Sequence, residues 1–411
     1  MPRHTLALVL AGGHGTRLGA LSSRGAKPAL PFAGSLRVID FALANCLNSG
    51  IPRVAVLTQY KAQRLIRHLM RGAVELGSWR GMAVEVVPAQ QQMGESWYRG
   101  TADAVFQNLE LIEESGARQV LVLAGDHVYK MDYARMLDEH RRRRAEATVA
   151  CLEVPCEEAS AFGVMSVDDR GRVTAFAEKP GCPDPVPGRP THALASMGIY
   201  VFDVALLGAV LREDAADARS LHDFGYSLLP ALLARRRVFA HRFDDSCVRA
   251  AGREAYWRDI GTLDAYWRAN MDQTLPHPPL DLADPDWPVV GAPVSLPAAR
   301  FVGAAGSVGV VDSLVAGGCV VEARVMSRSV LSPQVRVGRG SELQDCVLLP
   351  GAVVGRDVVL RRCIVDEGCV LPDGFDVGID PEADRRRFHV TEAGVALVTP
   401  AMLGGGPGAC P

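Results

Sequence analysis

Two basic side chains, Arg17 and Lys27, follow a glycine-rich turn near the start of the chain and could together bind phosphate. Glycines directly after a strand let backbone N–H groups approach an anion closely, and a following helix adds its positive end. The turn lacks the spacing of a dinucleotide-binding or Walker loop, and its distinctive residue is Arg17, whose guanidinium can bind a phosphate bidentately. Because Pro28 keeps the backbone before it extended, we expect Lys27 to be displayed. The turn residues predicted to bind phosphate are Gly12, Gly13, Gly15 and Thr16. Taken singly, the turn could be an ordinary one and Lys27 a solvated surface lysine.

Two carboxylates, Asp126 and Asp259, are the candidate ligands of a magnesium ion. Asp126 comes directly after the strand predicted over Gln119–Ala124, where one of its oxygens could hold Mg²⁺ while phosphates and waters complete the octahedron. Asp259 is the natural second ligand, because a single carboxylate binds Mg²⁺ poorly. The alternative role for Asp126 is to cap a helix that begins near Met131.

The elements that must position these residues alternate between strand and helix over the first 275 residues. Such alternation predicts a layered α/β domain with a mostly parallel sheet, whose ligands collect beyond the carboxyl ends of the strands. The helical segments include Asp40–Ser49 and Lys61–Met70. The predicted buried strands are Leu6–Leu10, Arg53–Thr58, Ala83–Pro88, Gln119–Ala124, Ala147–Glu153 and Ile199–Phe202.

Beyond this domain the pattern changes twice. Residues 276–297 form a proline-rich linker, since seven prolines in this stretch prevent a helix or an inner strand. Residues 298–411 then show a six-residue period that is typical of a parallel β-helix, in which aliphatic residues of successive coils stack. The alternative is an ordinary β-rich domain. The two periodic series are Cys319, Val325, Leu331, Val337, Leu343 and Leu349, and Val347, Val353, Val359, Val365, Leu371 and Val377.

Composition excludes several classes of function. A net charge of -3 provides no global basic field, so we expect no nucleic-acid partner, and the basic run 141–144 is better explained as the solvated end of a helix. The ten cysteines show no metal-binding spacing and are expected to be reduced thiols. No apolar run is long enough for a signal peptide or a membrane span, so we expect a cytoplasmic protein.

Several motifs resemble one family over nearly the whole chain. The glycine turn with the element A-K-P-A-L-P is similar to sugar-nucleotide pyrophosphorylases in general. The stretches W-Y-R-G-T-A-D-A from Trp97, A-G-D-H-V-Y-K from Ala124, E-K-P from Glu178, H-D-F-G from His222 and W-R-D-I-G-T from Trp257 resemble the ADP-glucose pyrophosphorylases. The resemblance implies a Rossmann-like nucleotidyltransferase domain followed by a left-handed parallel β-helix, and a reaction of ATP with α-D-glucose 1-phosphate that requires Mg²⁺.

The resemblance also implies roles for further residues. Arg17, Lys27 and Asp126 would be catalytic, and Lys179 would hold the sugar phosphate. Asp223 could equally cap the helix that begins at Phe224. The ATP-binding set adds Gln90, Tyr98, Gly100 and Thr101, and the glucose 1-phosphate set is Tyr98, Gly163, Glu178, Lys179, Ser196 and Asp223.

Members of this family are usually homotetramers regulated by anionic metabolites. We expect Arg24, Arg37 and one or more of the arginines around Arg386 to form an effector site between the two domains. These arginines could instead simply decorate the surface. Two other functions stay open: a non-catalytic regulatory subunit of the same family, and an acyltransferase, although residues 313–378 lack the histidine that acyl transfer needs as a base.

Overall fold

The computed structural model describes residues 4–13, 16–23, 25–90, 97–249, 252–292, 295–303 and 309–404, and within these excludes the side chains of Thr16 and of residues 73–80. Two residues predicted to bind ligands, Gly15 and Arg24, lie outside the described residues. The strands of the first domain are β1 (Thr5–Ala11), β2 (Pro31–Phe32), β3 (Leu36–Arg37), β4 (Arg53–Thr58), β5 (Ala83–Pro88), β6 (Gln119–Ala124), β7 (His127–Tyr129), β8 (Ala147–Pro155), β9 (Gly163–Val167), β10 (Val173–Glu178), β11 (Pro185–Val186), β12 (Arg189–Asp203), β13 (Val238–Arg242) and β14 (Trp257–Asp259).

The α-helices of the first domain pack around these strands. A short 3₁₀ turn, Lys27–Ala29, carries Lys27, and a five-residue π-helical turn spans Phe224–Leu228. The α-helices are α1 (Ile39–Asn48), α2 (Gln63–Arg80), α3 (Thr101–Phe106), α4 (Leu109–Glu114), α5 (Tyr133–Arg142), α6 (Cys156–Ala159), α7 (Val204–Ala216), α8 (Leu229–Leu233) and α9 (Leu263–Asp272). Within the described part of the chain, none of the helices has the length and apolarity that crossing a membrane requires.

A ten-stranded sheet forms the centre of this domain, with the order β10-β9-β12-β6-β1-β4-β5 along its main path. Strands β6, β1, β4 and β5 are parallel, whereas β12 runs antiparallel to β6. Strands β4, β5 and β6 have the predicted bounds, and the strand predicted over Ile199–Phe202 is the end of the 15-residue β12. The mostly parallel sheet is therefore confirmed.

Both faces of the sheet are covered, which explains its near-continuous apolar strands. In β1, Ala7 and Val9 face a cluster that includes residues of α1 and α5, whereas Leu6 and Leu8 face a second cluster built with α3, α4 and α7. The basic run 141–144 lies at the C-terminal end of α5, at the surface. Arg141 and Arg143 pair there with acidic residues one turn back on the same helix. This placement agrees with a solvated helix end.

The proline-rich segment packs against the first domain. From Gln273 to Ala299 no helix or strand forms among the residues that are described. Leu280 is nevertheless buried, and the indole of Trp287 donates a hydrogen bond of 2.9 Å to Oδ1 of Asn45. Asn48 donates to the carbonyl of Pro288 at 2.9 Å. The segment is therefore anchored to α1 along its course.

The C-terminal region is a left-handed β-helix with three parallel sheets. Its strands are β15 (Arg300–Phe301), β16 (Gly309–Val311), β17 (Leu314–Val315), β18 (Val320–Val321), β19 (Val325–Ser327), β20 (Val330–Leu331), β21 (Arg336–Val337), β22 (Glu342–Gln344), β23 (Val347–Leu348), β24 (Val353–Val354), β25 (Val359–Arg361), β26 (Cys363–Val365), β27 (Val370–Leu371), β28 (Asp376–Val377), β29 (His389–Val390) and β30 (Ala396–Val398). The sheets are β15-β18-β21-β24-β27, β16-β19-β22-β25-β28 and β17-β20-β23-β26-β30 with β29 at its edge. Helix α10 (Pro381–Arg387) follows β28.

The coils are shorter than a strict six-residue period requires. Val330, Val347 and Ile364 are stacked partners, so one coil takes 17 residues rather than 18. The six-residue series therefore drifts out of register with the interior. Val325 is 42% exposed, and the buried residues beside Val325, Val353 and Val359 are Met326, Val354 and Leu360. The β-helix prediction is confirmed, but Val325, Val353 and Val359 are not among its interior residues.

One side of the β-helix forms a second apolar layer with the first domain. Val347, Ile364 and Leu397 stack on the outer face of β23, β26 and β30 and belong to a buried cluster with Phe32, Tyr266 and other residues of the first domain. At this seam the indole of Trp267 donates 2.8 Å to the carbonyl of Asp345. Val347 therefore faces the first domain and not the interior of the β-helix.

Val354→Ala tests the 17-residue register. Val354 is 2% exposed inside the β-helix, so losing two methyl groups there should lower the free energy of unfolding by about 1–3 kcal/mol. Val353→Ala is the matched control, because Val353 is only half-buried, and it should cost less than about 1 kcal/mol. Denaturant unfolding of both variants measures the difference, and a larger loss for Val353→Ala contradicts the register.

Candidate active site

Strand pairing brings the two predicted metal ligands together. Asp126 lies in the turn between β6 and β7, and Asp259 ends β14, which pairs antiparallel with β7 so that Asp259 lies opposite His127. One ligand atom from each of Asp126, His127 and Asp259 can be chosen so that all three lie within 4.8 Å of one another. Carboxylate oxygens are the donors that Mg²⁺ prefers. The residues present therefore fit a divalent cation.

Lys27 lies between these two carboxylates. Its Nζ donates to Oδ2 of Asp126 at 2.7 Å and to Oδ1 of Asp259 at 2.8 Å, although the sequence predicted a displayed lysine. Burial lowers the pKa of Lys27, but the two carboxylates outweigh it and leave that pKa above its usual value. Burial raises the pKa of Asp126, but Lys27 and His127 outweigh it and hold that carboxyl well below its usual range. Lys27 and Asp126 are therefore both charged at neutral pH.

His127 is part of this cluster, although the sequence analysis did not single it out as a ligand. Its Nε2 lies 3.6 Å from Oδ1 of Asp126, and its ring packs edge-on against Trp257 with a centroid distance of 5.0 Å. Its Nδ1 is buried and has no hydrogen-bond partner among the described residues. The adjacent Asp126 was the only sequence signal for His127.

The glycine turn opens beside the carboxylate pair. Gly13 has a φ of 117°, which favours glycine, and nothing lies within 4 Å of the point where a Cβ would be. A Cβ at Gly261 would lie 3.1 Å from Nη2 of Arg17 and 3.1 Å from Oδ2 of Asp259. The exposed Arg17 thus extends toward Asp259, and its predicted binding of phosphate stays a prediction.

Two glycines of the predicted site are required by contacts within the protein. A Cβ at Gly125 would lie 3.0 Å from Cγ1 of Val9, and a Cβ at Gly100 would lie 2.3 Å from the carbonyl oxygen of His222. The first glycine therefore lets β6 end against β1, and the second lets α3 begin against the loop at 221–222. Contact of Gly100 with adenine stays a prediction.

The loop at His222 also organises Thr101 and Asp223. The carbonyl of His222 accepts from the N–H groups of Ala102 and Asp103, and the His222 ring is held by Asp214 at 2.9 Å. Thr101 donates its hydroxyl to Oδ2 of Asp223 at 2.8 Å. The other oxygen of Asp223 accepts from two backbone N–H groups, of Gly225 and Tyr226. Asp223 is thus the helix cap that the sequence left open, and its binding of a sugar stays a prediction.

Glu178 lies in a narrow groove between two glycines. A Cβ at Gly163 would lie 2.7 Å from Oε2 of Glu178, and one at Gly225 would lie 2.3 Å from the same atom. Burial raises the pKa of Glu178, Lys179 opposes the rise, and Asp223 adds to it. The Lys179 ammonium is half-exposed, 3.5 Å from Glu178 and 6.0 Å above the ring of Tyr226. The predicted sugar-phosphate residues Gly163, Glu178, Lys179 and Asp223 therefore lie together.

Tyr98, Gln90 and Ser196 complete the predicted site. The hydroxyl of Tyr98 accepts from Asn108 at 3.0 Å, and Gln59 donates to the carbonyl of Tyr98 at 3.2 Å. Because Gln59 also packs against Gly12, it links the glycine turn to Tyr98, a contact that no local sequence signal could reveal. Ser196 is buried and accepts from the N–H of Gly198 at 3.3 Å, and Gln90 is exposed after β5.

The arginines proposed for regulation are separated. Arg37 lines a cavity of about 230 Å³ between the two domains, and Arg386 is not among the residues that line it. The other arginines of this cavity, Arg64, Arg67 and Arg71, were missed because they lie on α2, one or two turns apart, without a recognisable motif. Helix α10, which carries Arg386, packs through Arg387 on Phe375 and Phe388.

Comparison with known proteins gives two family matches and several close relatives. Residues 6–275 match the family described as Nucleotidyl transferase, and residues 297–398 match the one described as GlmU-like, C-terminal hexapeptide. A glucose-1-phosphate adenylyltransferase of Methylobacillus flagellatus is 52% identical over 98% of this chain and 95% of its own length. The enzymes with the same name from Nitrosospira multiformis and Pectobacterium carotovorum are 52% and 51% identical over 98% of this chain, and over 95% and 96% of their own lengths.

Glu178→Gln is expected to raise the free energy of unfolding near neutral pH. Because the folded protein raises the pKa of this carboxyl, its ionised form destabilises the fold progressively as pH increases above the usual value of 4.5. The stabilisation by glutamine should therefore be full at about pH 8 and absent below about pH 4. Urea denaturation at the two pH values measures it. Glu110→Gln, an exposed change on α4, is the control. No difference between Glu178→Gln and the parent protein at the higher pH contradicts the burial argument.

Proposed function

Because the chain belongs to the nucleotidyl transferase family and, within it, to the glucose-1-phosphate adenylyltransferases, we propose that it transfers the adenylyl group of ATP to α-D-glucose 1-phosphate. The products are ADP-glucose, for the synthesis of glycogen or a similar α-glucan, and diphosphate. The observation that carries the proposal is the cluster of Lys27, Asp126 and Asp259 beside the glycine turn.

The chemistry needs charge neutralisation more than proton transfer. The nucleophile is a phosphate oxygen that already carries negative charge near pH 7, so no general base is required. The obstacle is repulsion between two polyanions, since two unit charges 4 Å apart cost about 4 kcal/mol at an effective dielectric constant of 20. Fixed cations that orient both phosphates therefore supply the main part of catalysis.

Each part of the site has a role in this reaction. Arg17, Lys27 and the N–H groups of the glycine turn bind the triphosphate. Asp126 and Asp259 hold Mg²⁺, which neutralises phosphate charge when bound. Lys179 binds the phosphate of the sugar. Glu178 and Ser196 accept or donate hydrogen bonds to sugar hydroxyls, while Tyr98 and Gln90 contact the nucleotide base.

Asp126→Asn should lower the rate at least ~100-fold, as removal of a charge-stabilising group typically does. The measurement is release of pyrophosphate from glucose 1-phosphate with each nucleoside triphosphate in turn, and only ATP should work well. Asp138→Asn is the matched control, because its side chain is 62% exposed on α5, and it should leave the rate unchanged. Equal rates for the Asp126→Asn variant and the parent protein contradict the assignment.

A non-catalytic regulatory subunit is the alternative, and the same assay separates the two. A subunit of that kind would release no pyrophosphate alone and would be insensitive to Asp126→Asn. The intact set of Arg17, Lys27, Asp126, Lys179 and Asp259 favours the enzyme. Acyl transfer is disfavoured because the coils from 313 to 378 contain no histidine.

Regulation by an anionic metabolite is supported by the cavity between the domains. Arg37, Arg64, Arg67 and Arg71 line it, and Glu367 of the β-helix pairs with Arg64. The N–H of Arg37 donates to Asp40 at 2.7 Å, and its guanidinium donates to the carbonyl of Ala29. We therefore propose that the effector site is this cavity, with Arg37 on one wall, and assign no role in it to Arg386 of the same subunit. The contribution of Arg24, which lies outside the described residues, stays a prediction.

Arg67→Ala tests the cavity, because Arg67 is exposed and its loss should leave the basal rate intact. The concentration of sugar phosphate or keto acid needed for half-maximal activation should rise at least ~5-fold, the lower range of typical couplings between sites. Arg142→Ala, at the exposed end of α5, is the matched control. Activation curves that are unchanged by Arg67→Ala for every effector contradict the assignment.

We also propose that the protein is a homotetramer and that it works in the cytoplasm. Exposed valines on the outside of the β-helix, Val311, Val325 and Val370, support pairing with further copies in a homotetramer. The nine described cysteines are all free thiols, which supports work in a reducing compartment such as the cytoplasm. Mass measurement in solution tests the tetramer.

A further inference from the structure

Lys27 lies between the two candidate metal ligands and holds one oxygen of each. Its Nζ is 2.7 Å from Oδ2 of Asp126 and 2.8 Å from Oδ1 of Asp259. We propose that Lys27 is an internal counter-ion that blocks this pair until a nucleotide phosphate draws the ammonium away, so that the pair takes up a divalent cation only together with the nucleotide. The proposal rests on the function proposed above and adds an order of binding to it.

The two cations exclude each other by distance. A Mg²⁺ ion lies about 2.0–2.1 Å from each oxygen ligand, so an ion that bridges these two oxygens occupies the space of the ammonium nitrogen. A divalent cation next to the Lys27 ammonium would also repel it strongly in this partly buried site. Lys27 is 9% exposed and Asp259 has only 19% of its side chain exposed, so solvent screens the repulsion weakly. Uptake of a free cation must therefore include displacement of Lys27.

The lysine can leave without moving the backbone. Its main chain is fixed in the 3₁₀ turn Lys27–Ala29, where Pro28 restricts φ and the N–H of Leu30 donates to the carbonyl of Lys27. The four-carbon side chain keeps its rotational freedom, because the ammonium is a compact charge on a flexible stem. A rotation about these bonds redirects the charge while the turn stays in place.

A triphosphate provides the ammonium with a new partner. Arg17 extends along Gly261 next to Asp259, and the open glycine turn lies on the same side of the site. An anion bound there attracts the Lys27 ammonium and leaves the two carboxylates to the cation that accompanies the nucleotide. Each carboxylate keeps a positive partner throughout the exchange. The coupling between cation and nucleotide is therefore positive and reciprocal.

The test is binding of Mn²⁺ to the full-length protein without nucleotide, followed by electron paramagnetic resonance. Mn²⁺ has the same preference for carboxylate ligands as Mg²⁺. Lys27→Met removes the charge and keeps the length of the side chain, and it should bind Mn²⁺ at least ~10-fold more tightly than the parent protein, within the usual range of coupling. Lys27→Arg keeps the charge and should bind as weakly as the parent. Lys61→Met, an exposed lysine, is the control for removal of a charge.

The gain in Mn²⁺ affinity must come from the carboxylate pair, so adding Asp126→Asn to Lys27→Met should abolish that gain. Thermal unfolding reports whether Lys27→Met folds. If it folds poorly, Lys27→Gln should show the same gain in affinity. An affinity of Lys27→Met and Lys27→Gln no higher than that of the parent overturns the proposal. Because the assay requires no turnover, this failure is distinct from failure of the proposed function, which would appear as absence of pyrophosphate release by the parent protein.

Discussion

Two carboxylates can remain charged side by side in a partly buried site only if a fixed cation lies between them. Asp126 and Asp259 meet this condition through Lys27, which is 99 residues from the first and 232 from the second. The antiparallel pairing of β7 with β14 sets the positions of the acids, and a three-residue 3₁₀ turn sets that of the lysine. Strands β7 and β14 and the 3₁₀ turn thus act together to position these side chains. They hold three charges at hydrogen-bond distance before any substrate arrives, and such preorganisation is what electrostatic catalysis requires.

The residues proposed to bind substrate form two groups, one cationic and one made of acidic and hydroxyl side chains. Arg17 and Lys27 are on the side of the glycine turn, whereas Glu178, Asp223 and Thr101 form a polar groove where β10 meets the turn at Phe224. Phosphates need cations, and hydroxyl groups need acceptors that are already oriented. In the groove the orientation comes from the backbone, because Asp223 is held by the N–H groups of Gly225 and Tyr226 and Glu178 is confined between two glycines. Lys179, with a φ of 48°, lies beside Glu178 in this groove.

Sequence reasoning succeeded where the determinant is local. Strands β4, β5 and β6 could be bounded because buried parallel strands are short apolar runs, and Asp126 could be located because it follows one of them. The details that failed depend on contacts far apart in the chain. A coil takes 17 residues, whereas three six-residue repeats would take 18. The interior residue is therefore Val354, and not Val353, which the six-residue series contains. Gly100 was predicted to bind ATP, and only the folded chain shows that His222 packs against it, as Val9 packs against Gly125.

The seam along β23, β26 and β30 limits how this architecture can change in evolution. Repeat proteins lengthen or shorten by whole coils, because each coil mainly contacts its neighbours. A coil whose outer face is exposed to solvent keeps that freedom. The coils that carry Val347, Ile364 and Leu397 do not, since their outer side chains interlock with Tyr266 and Phe32 of the other domain. Exchange of the β-helix between relatives as an independent module would therefore require matched changes on both surfaces, so the two domains must diverge as one inherited unit.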